Sequence, residues 1–183
     1  MNIVLIGPRG VGKSSVCRAL SRLSRRPVLS TDLLICYENQ GRSIPEILRE
    51  SHGDWRRFRD LEFVVVEKVS CLDEMIIDAG GGVVVDLDAD GNEIYSERKI
   101  NALKRRGHVV HLTGDPVRLA ARTAWDSNRP ALSGVHSEEA IMRRREPWYR
   151  RAADVTLDTT HARRLELAQY ILNHLPASLS SSL

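Results

Sequence analysis

A strand, a glycine-rich loop and a helix at the start of the chain constrain its fold more than any other feature. NIVLI (Asn2–Ile6) is a short apolar run with β-branched residues, which predicts a buried strand. GPRGVGKS (residues 7–14) follows directly and fits the pattern G-x-x-x-x-G-K-S/T. The apolar residues of positions 13–25 then recur at helical spacing. A phosphate-binding loop requires this order of strand, loop and helix, so the sequence predicts a nucleotide site.

The residue types of the loop suit the phosphates of a nucleotide. Glycine lets backbone N–H groups curl around the phosphates, and the N-terminus of the following helix contributes a favourable dipole. Lys13 is expected to reach the β- and γ-phosphates, and the Ser14 hydroxyl to take a magnesium position. A glycine-rich turn with an incidental lysine is the alternative, but it leaves the flanking strand and helix unexplained. The nucleotide-binding residues expected in this stretch are Gly10, Val11, Gly12, Lys13, Ser14 and Ser15.

Strand and helix patterns alternate along the remaining chain. After PVLS (residues 27–30), helical segments extend to about Leu72, and the later strand candidates are residues 75–79, 108–113 and 154–159. Helical patterns cover residues 97–106, 116–125, 137–151 and 161–175. The acidic stretch 86–93 is turn-like, and we expect a surface loop there. Alternation of this kind predicts an α/β fold whose parallel sheet carries helices on both faces.

Length and composition are those of one globular domain. The chain has 183 residues and a net charge of +3, which does not indicate a nucleic-acid footprint. No segment approaches the length of an apolar membrane span, and the three cysteines form no C-x-x-C pair. We therefore expect a cytoplasmic protein that binds neither nucleic acid nor membranes. A monomer is also expected, although composition does not determine the oligomeric state. Residues 1–176 would form the domain, and the low-complexity residues 177–183 a disordered tail.

Nucleotide-binding proteins divide into switches, mechanical ATPases and kinases, and the sequence favours the last class. Residues 78–81 fit the D-x-x-G of GTPases, but no Asn-Lys dipeptide occurs, so the guanine-reading N-K-x-D is absent. A chain of this length also has little room for mechanical elements beyond the ATPase core. A small-molecule kinase is the simplest interpretation.

Further along the chain, a series of motifs resembles the shikimate kinases, which use ATP to phosphorylate the 3-hydroxyl of shikimate. The motifs in chain order are GPRGVGKS, STD, GRSIPEIL, G-x4-FRDLE, GGG, RPAL, R-x-P-W-Y and an AD strand, and they span nearly the whole chain. The resemblance implies a P-loop NTPase fold of the nucleoside-monophosphate-kinase type. Its five-stranded parallel sheet would have the order 2-3-1-4-5, with a substrate-binding region near residues 32–60 and a lid near 124–137.

The resemblance also implies which residues bind the acceptor. Asp32 would accept hydrogen bonds from the shikimate hydroxyls and act as the base. Arg59 and Arg145 would bind the shikimate carboxylate, with Glu62 orienting Arg59. An arginine fork suits a carboxylate, and glycine lets backbone approach a ring closely. The expected acceptor-binding residues are Asp32, Arg59, Glu62, Gly80, Gly81, Gly82 and Arg145.

On the nucleotide side, the resemblance adds two arginines to the phosphate loop. Arg122 would stack on adenine, and Arg129 of RPAL would move with the lid to meet the transferred phosphate. A mobile arginine over the γ-phosphate suits phosphoryl transfer, which depends on positioning and charge neutralisation. The implied catalytic residues are Lys13, Asp32 and Arg129, and the implied ligands are ATP, shikimate and Mg²⁺.

Each assignment has a simpler structural alternative. Arg59 and Glu62 stand three residues apart and would also suit a surface helix pair. The run RRR at 143–145 is typical of a solvated helix face, Asp32 would also cap the helix after its strand, and residues 80–82 would also mark a bend. At the level of function, the alternatives are a gluconate-type kinase and a nucleotide-binding regulator without catalysis.

The chain departs from the family pattern at one position that matters for magnesium. Ser30 stands where the family has the first acid of D-x-D, and a neutral hydroxyl does not replace a carboxylate charge. Asp78 ends an apolar strand, at the place where many P-loop proteins carry a metal-site aspartate. We hypothesise that Asp78 supplies the carboxylate that Ser30 lacks, so that Ser14 and Asp78 form the metal site. The segment between Gly82 and Gly107 is also longer than the resemblance predicts, and the lid is shorter.

Overall fold

The structure is a computed structural model that describes residues 1–123 and 137–176. The strands in these ranges are β1 (Asn2–Ile6), β2 (Val28–Ser30), β3 (Ile76–Asp78), β4 (Val85–Leu87), β5 (Glu93–Tyr95), β6 (Gly107–Thr113) and β7 (Val155–Asp158). The helices are α1 (Lys13–Ser24), α2 (Thr31–Glu38), α3 (Ile44–Glu50), α4 (Trp55–Ser70), α5 (Glu97–Lys104), α6 (Pro116–Thr123), α7 (Glu138–Ala152) and α8 (Arg164–Asn173). The predicted lid, Arg129 and the tail at 177–183 lie outside the described residues.

Five strands form one parallel sheet in the order β2-β3-β1-β6-β7. When the five strands are numbered by their order along the chain, their order across the sheet is 2-3-1-4-5. The predicted strand order is therefore confirmed. The strand β1 lies at the centre, between β3 and β6, and all five of its residues are buried. A parallel strand covered on both faces reads as a continuous apolar run, which explains NIVLI.

Helices cover both faces of the sheet, because successive residues of a strand point to opposite sides. Ile3 and Leu5 pack with the apolar faces of α1 and α8 in one cluster. Val4 and Ile6 pack on the other side, with α4 and α5. The α/β fold class predicted from the alternation of patterns is therefore confirmed. Among the residues at 1–123 and 137–176, every helix is too short or too polar to span a lipid bilayer.

The stretch 86–93 differs from the prediction of a surface loop. It carries most of a two-stranded antiparallel hairpin, β4–β5, in which Asp86 pairs with Ile94 and Leu87 with Glu93. Only the turn is exposed in the way expected, with the Asp88 carboxylate accepting from the N–H groups of Asp90 and Asn92 at 2.9 Å. The prediction was wrong because it treated acidic residues as solvated. Asp86 instead accepts hydrogen bonds from Ser96 and Arg98 and is buried.

Candidate active site

The phosphate loop joins β1 to α1 and presents the N-terminus of that helix. Gly12 precedes α1 with φ of 104°, a conformation that favours glycine, and no side chain caps the helix. The first N–H groups of α1 are therefore available to an anion. The Lys13 ammonium lies inside the loop, where it donates to the carbonyls of Gly7 at 2.8 Å and Pro8 at 3.1 Å.

A cavity of about 600 Å³ lies beside the loop, at the carboxyl ends of β2 and β3. This is the edge of an open parallel sheet where ligands bind. The structure brings nine of the residues predicted for the site into its lining, namely Gly10, Gly12, Lys13, Ser14, Ser15, Asp32, Asp78, Gly80 and Gly81. Val11, also predicted, is buried in the core instead.

Asp32 lies in the first turn of α2 and faces this cavity. Ser30, not Asp32, caps the helix, since the Ser30 side chain accepts from the N–H of Leu33. Burial and, to a smaller extent, the negative charges of Glu62 and Asp78 raise the pKa of Asp32 to about 6, although Lys13 and Arg9 act in the opposite direction. A carboxyl group with such a pKa is ionised at neutral pH but basic enough to accept a proton.

The three glycines after β3 each leave room for a charged side chain. A Cβ on Gly80 would lie 2.2 Å from Asp32 Oδ1, and one on Gly82 would lie 2.3 Å from Arg59 Nη1. At Gly81, the nearest atom would be Arg9 Cγ, at 3.1 Å. The segment therefore borders Asp32 at one end and Arg59 at the other, with the side chain of Arg9 against the glycine between them. Such an arrangement suits close contact between backbone and a small polar ligand.

Arg59 belongs to a buried charge network and not to a surface helix pair. Arg59 is 4% exposed, and its Nη1 donates to Glu62 Oε2 at 2.9 Å; Glu62 itself is 1% exposed. Lys99 of α5, fully buried, donates to the same Glu62 oxygen at 2.6 Å and to the carbonyl of Val85. Burial alone would raise the pKa of Glu62, but Lys99 and Arg59 more than offset it and hold that pKa below its ordinary value.

Sequence reasoning missed Lys99. The available signal was its position on α5, where it shares the buried side of the helix with Ile100 and Leu103. A lysine on the apolar side of an amphipathic helix needs a buried partner.

Arg59 has a buried donor that is not paired by any residue the structure describes. Within the described part of the chain, its buried Nε has no hydrogen-bond partner. A buried guanidinium N–H is costly to leave unpaired. Arg59 also lines a second cavity, together with Trp55, Glu93 and Arg144.

The run at 143–145 contains two exposed arginines and one buried arginine. Arg143 and Arg144 are exposed, whereas Arg145 is 3% exposed. The guanidinium of Arg145 donates from Nε to Glu93 Oε2 at 3.0 Å and from Nη2 to the other oxygen of the same carboxylate. Neither Arg145 nor Arg122 lines one of the two cavities, and Arg122 is exposed in the last turn of α6.

The hypothesised metal residues lie together in the first cavity. Ser30 and Asp78 are register partners in the β2–β3 pair, so Asp78 stands directly beside the position that lacks an acid. Ser14, at the start of α1, lines the same cavity. Hydroxyl and carboxylate oxygens are ligands that Mg²⁺ accepts, with nucleotide phosphates completing its shell. In residues 1–123 and 137–176, no three His, Cys, Asp or Glu side chains form a metal cluster of their own.

Comparison with known proteins shows the family of this chain. The sequence model of the shikimate kinase family matches residues 9–176. A shikimate kinase of Leptospira borgpetersenii serovar Hardjo-bovis is 41% identical over 174 residues, covering 95% of this chain and 97% of that protein. The structure of a shikimate kinase from Acinetobacter baumannii in complex with shikimate has a TM-score of 0.79 at 33% identity, covering 100% of this chain and 94% of that one. The shikimate kinase structure from Aquifex aeolicus has a TM-score of 0.75 at 28% identity, and the match covers 94% of this chain and 95% of that one. The matches extend over almost the entire chain, and the chain therefore belongs to the shikimate kinase family.

Proposed function

We propose that this protein transfers the γ-phosphoryl group of ATP to the 3-hydroxyl of shikimate, giving shikimate 3-phosphate and ADP. The observation that carries the proposal is the glycine segment 80–82, which separates a carboxylate beside the phosphate loop from a buried arginine. Asp32 suits the hydroxyls of the acceptor, and Arg59 suits its carboxylate. Membership of the family supports the same reaction.

Asp32 is proposed as the base. The acceptor hydroxyl donates to the Asp32 carboxylate and gives it the proton as the oxygen attacks the γ-phosphorus. A new O–P bond forms while the bond from phosphorus to the ADP oxygen breaks. The Lys13 ammonium and the N–H groups of α1 stabilise the negative charge on the phosphates. Arg129, outside the described residues, is proposed to add charge from the lid, and Arg122 to contact adenine.

At the other end of the site, Arg59 is proposed to bind the acceptor carboxylate, since it lines the second cavity and its buried Nε has no partner among the described residues. Glu62 orients Arg59, and Lys99 in turn holds Glu62 ionised. Arg145 is proposed as the second arginine at this carboxylate. These contacts place the 3-hydroxyl toward Asp32, and such positioning supplies much of the catalysis in phosphoryl transfer.

Ser14 and Asp78 are proposed to hold Mg²⁺ with the nucleotide phosphates. Bound there, the ion would neutralise charge on the β- and γ-phosphate oxygens. The fit rests on the register of Asp78 with Ser30, which returns one carboxylate to the edge of the sheet where the family pattern has it.

ADP release with ATP and Mg²⁺, measured with and without shikimate, tests the proposal. We expect turnover that depends on shikimate. Turnover with gluconate or another hydroxy acid instead would change the acceptor and keep the reaction. Nucleotide binding without turnover on any acceptor would contradict the proposal and favour a regulatory protein.

A further inference from the structure

The hairpin β4–β5 places a carboxylate on one of the two arginines assigned to the acceptor. We propose that Glu93 is an internal competitor of the acceptor carboxylate for Arg145, and that it thereby sets the affinity for the acceptor. This inference rests on the proposed function.

Glu93 binds Arg145 in the geometry that a carboxylic acid ligand would use. Both of its oxygens accept from one edge of the guanidinium, formed by Nε and Nη2. Paired hydrogen bonds of this kind are the strongest that arginine makes with a carboxylate. The pair is also shielded from water, since the side chains of Arg145 and Glu93 are 3% and 15% exposed. The contact is therefore more than a weak surface ion pair.

A second carboxylate binds Arg145 only in competition with Glu93. One edge of a guanidinium donates to only one carboxylate in this paired geometry. An acceptor that takes the Nε–Nη2 edge has to displace Glu93, and an acceptor that takes another edge lies beside its negative charge. Both routes weaken binding, because like charges repel most strongly in a site of low dielectric.

Glu93 contacts Arg145 and also reaches the second cavity. It lines that cavity together with Arg59, which is proposed to bind the acceptor, whereas Arg145 itself does not line it. Its position is fixed by the hairpin, since Glu93 pairs with Leu87 across β4 and β5. The extra length between Gly82 and Gly107 that the sequence revealed is the segment that contains this hairpin.

Arg144 offers Glu93 an alternative partner. Its Nη2 donates to Glu93 Oε2 at 2.8 Å, and it is exposed at the edge of the same cavity. When the acceptor binds Arg145, Glu93 is able to stay paired with Arg144 and need not lie unpaired. Arg144 therefore lowers the free energy needed to displace Glu93 from Arg145.

The opposite role for Glu93 is to position Arg145 for the acceptor, and the two roles predict opposite changes. Glu93→Gln keeps the shape of the side chain and removes its charge. If Glu93 competes, the variant lowers the KM for shikimate by about threefold to tenfold, the size expected when one opposing charge that Arg144 partly compensates is removed. The KM for ATP stays unchanged. A KM for shikimate that rises or stays the same would overturn the inference.

A matched control and a second variant exclude general effects on folding. Glu97→Gln removes another carboxylate that pairs with α7, through the exposed Arg151, and should leave the KM for shikimate unchanged. Arg144→Gln should raise that KM in the wild-type background and have no effect in the Glu93→Gln background. If Arg144→Gln changed this KM equally in both backgrounds, Arg144 would not act as the alternative partner of Glu93.

Calorimetric titration of each variant with shikimate gives the dissociation constant without turnover. The order of affinities should be the same as in the kinetics. If the wild-type protein neither binds nor phosphorylates shikimate, the proposed function itself has failed. If it does both and Glu93→Gln binds no more tightly, only this inference has failed.

Discussion

Replacing Lys99 by methionine tests whether the buried charge on α5 holds the acceptor arginine in place. The Lys99 side chain is fully buried, and its ammonium donates to Glu62 at 2.6 Å and to the carbonyl of Val85. Methionine keeps much of the apolar stem and removes the charge. Glu62 would then retain only Arg59, at 2.9 Å, as a cationic partner.

The expected loss is large because the environment is dry. Removing one partner from a buried charge pair destabilises a protein by about 3–5 kcal/mol. Since Arg59 continues to compensate Glu62, we expect the lower end, about 3 kcal/mol. For a chain of this size, each kcal/mol lowers Tm by about 2–4 °C, so the shift would be about 6–12 °C.

The loss should also depend on pH in a defined direction. Burial works against the ionised Glu62, but Lys99 and Arg59 hold its folded pKa below the ordinary value of 4.5. A depressed carboxyl pKa contributes stability above the unfolded pKa, and this stability disappears as the pH falls through the folded pKa. The difference between wild type and Lys99→Met should therefore be largest at neutral pH and narrow below the ordinary glutamate pKa.

Urea unfolding at several pH values measures both effects. Lys104→Met is the matched control, because its ammonium pairs with Asp154 at 3.0 Å where both side chains are about one-third exposed. A pair of that kind contributes about 0–1 kcal/mol. A loss below about 1 kcal/mol for Lys99→Met, equal to that of the control, would refute the reasoning.

Three further predictions concern the proposed reaction. Because Asp32 has a pKa of about 6 and must be ionised to act as the base, kcat/KM for shikimate should fall below pH 6; a flat profile down to pH 5 would exclude that role. Asp78→Asn should raise the Mg²⁺ concentration needed for half-maximal turnover and weaken Mn²⁺ binding to the ADP complex, measured by electron paramagnetic resonance. The exposed Asp73→Asn should change neither, and unchanged Mn²⁺ binding in Asp78→Asn would contradict the metal site. Gly82→Ala should displace Arg59, because the new Cβ at position 82 would lie 2.3 Å from Arg59 Nη1. The KM for shikimate should then rise by about tenfold to a hundredfold. An unchanged KM would show that Arg59 does not bind the acceptor.

Features that depend on neighbouring residues could be predicted from the sequence. The phosphate loop is a contiguous stretch, and its strand and helix follow from local apolar periodicity. The α/β class followed from alternating patterns, whereas the strand order came from the resemblance to a family, and the structure confirms both. The resemblance also distinguished Arg145 from its neighbours, through its place in the motif R-x-P-W-Y.

The partners of the buried charges could not be predicted in this way. Glu62 and Lys99 are 37 positions apart, and Glu93 and Arg145 are 52 apart. From the sequence alone, a carboxylate is expected to be solvated, because its buried cationic partner is not visible there. For this reason the hairpin was predicted as a surface loop. No local sequence pattern predicts a contact between two such distant residues, because the free energy of burying a charge depends on the group that lies opposite it.

The sequence by itself therefore determined the nucleotide site, the fold class and, through its motifs, the family. The tertiary structure decided which charges are buried, that each glycine of 80–82 borders a different charged side chain, and that Glu93 occupies Arg145. The physical reason is the range of the interactions. Backbone propensity and apolar periodicity act over a few residues, whereas a buried ion pair exists only after distant segments have packed and excluded water.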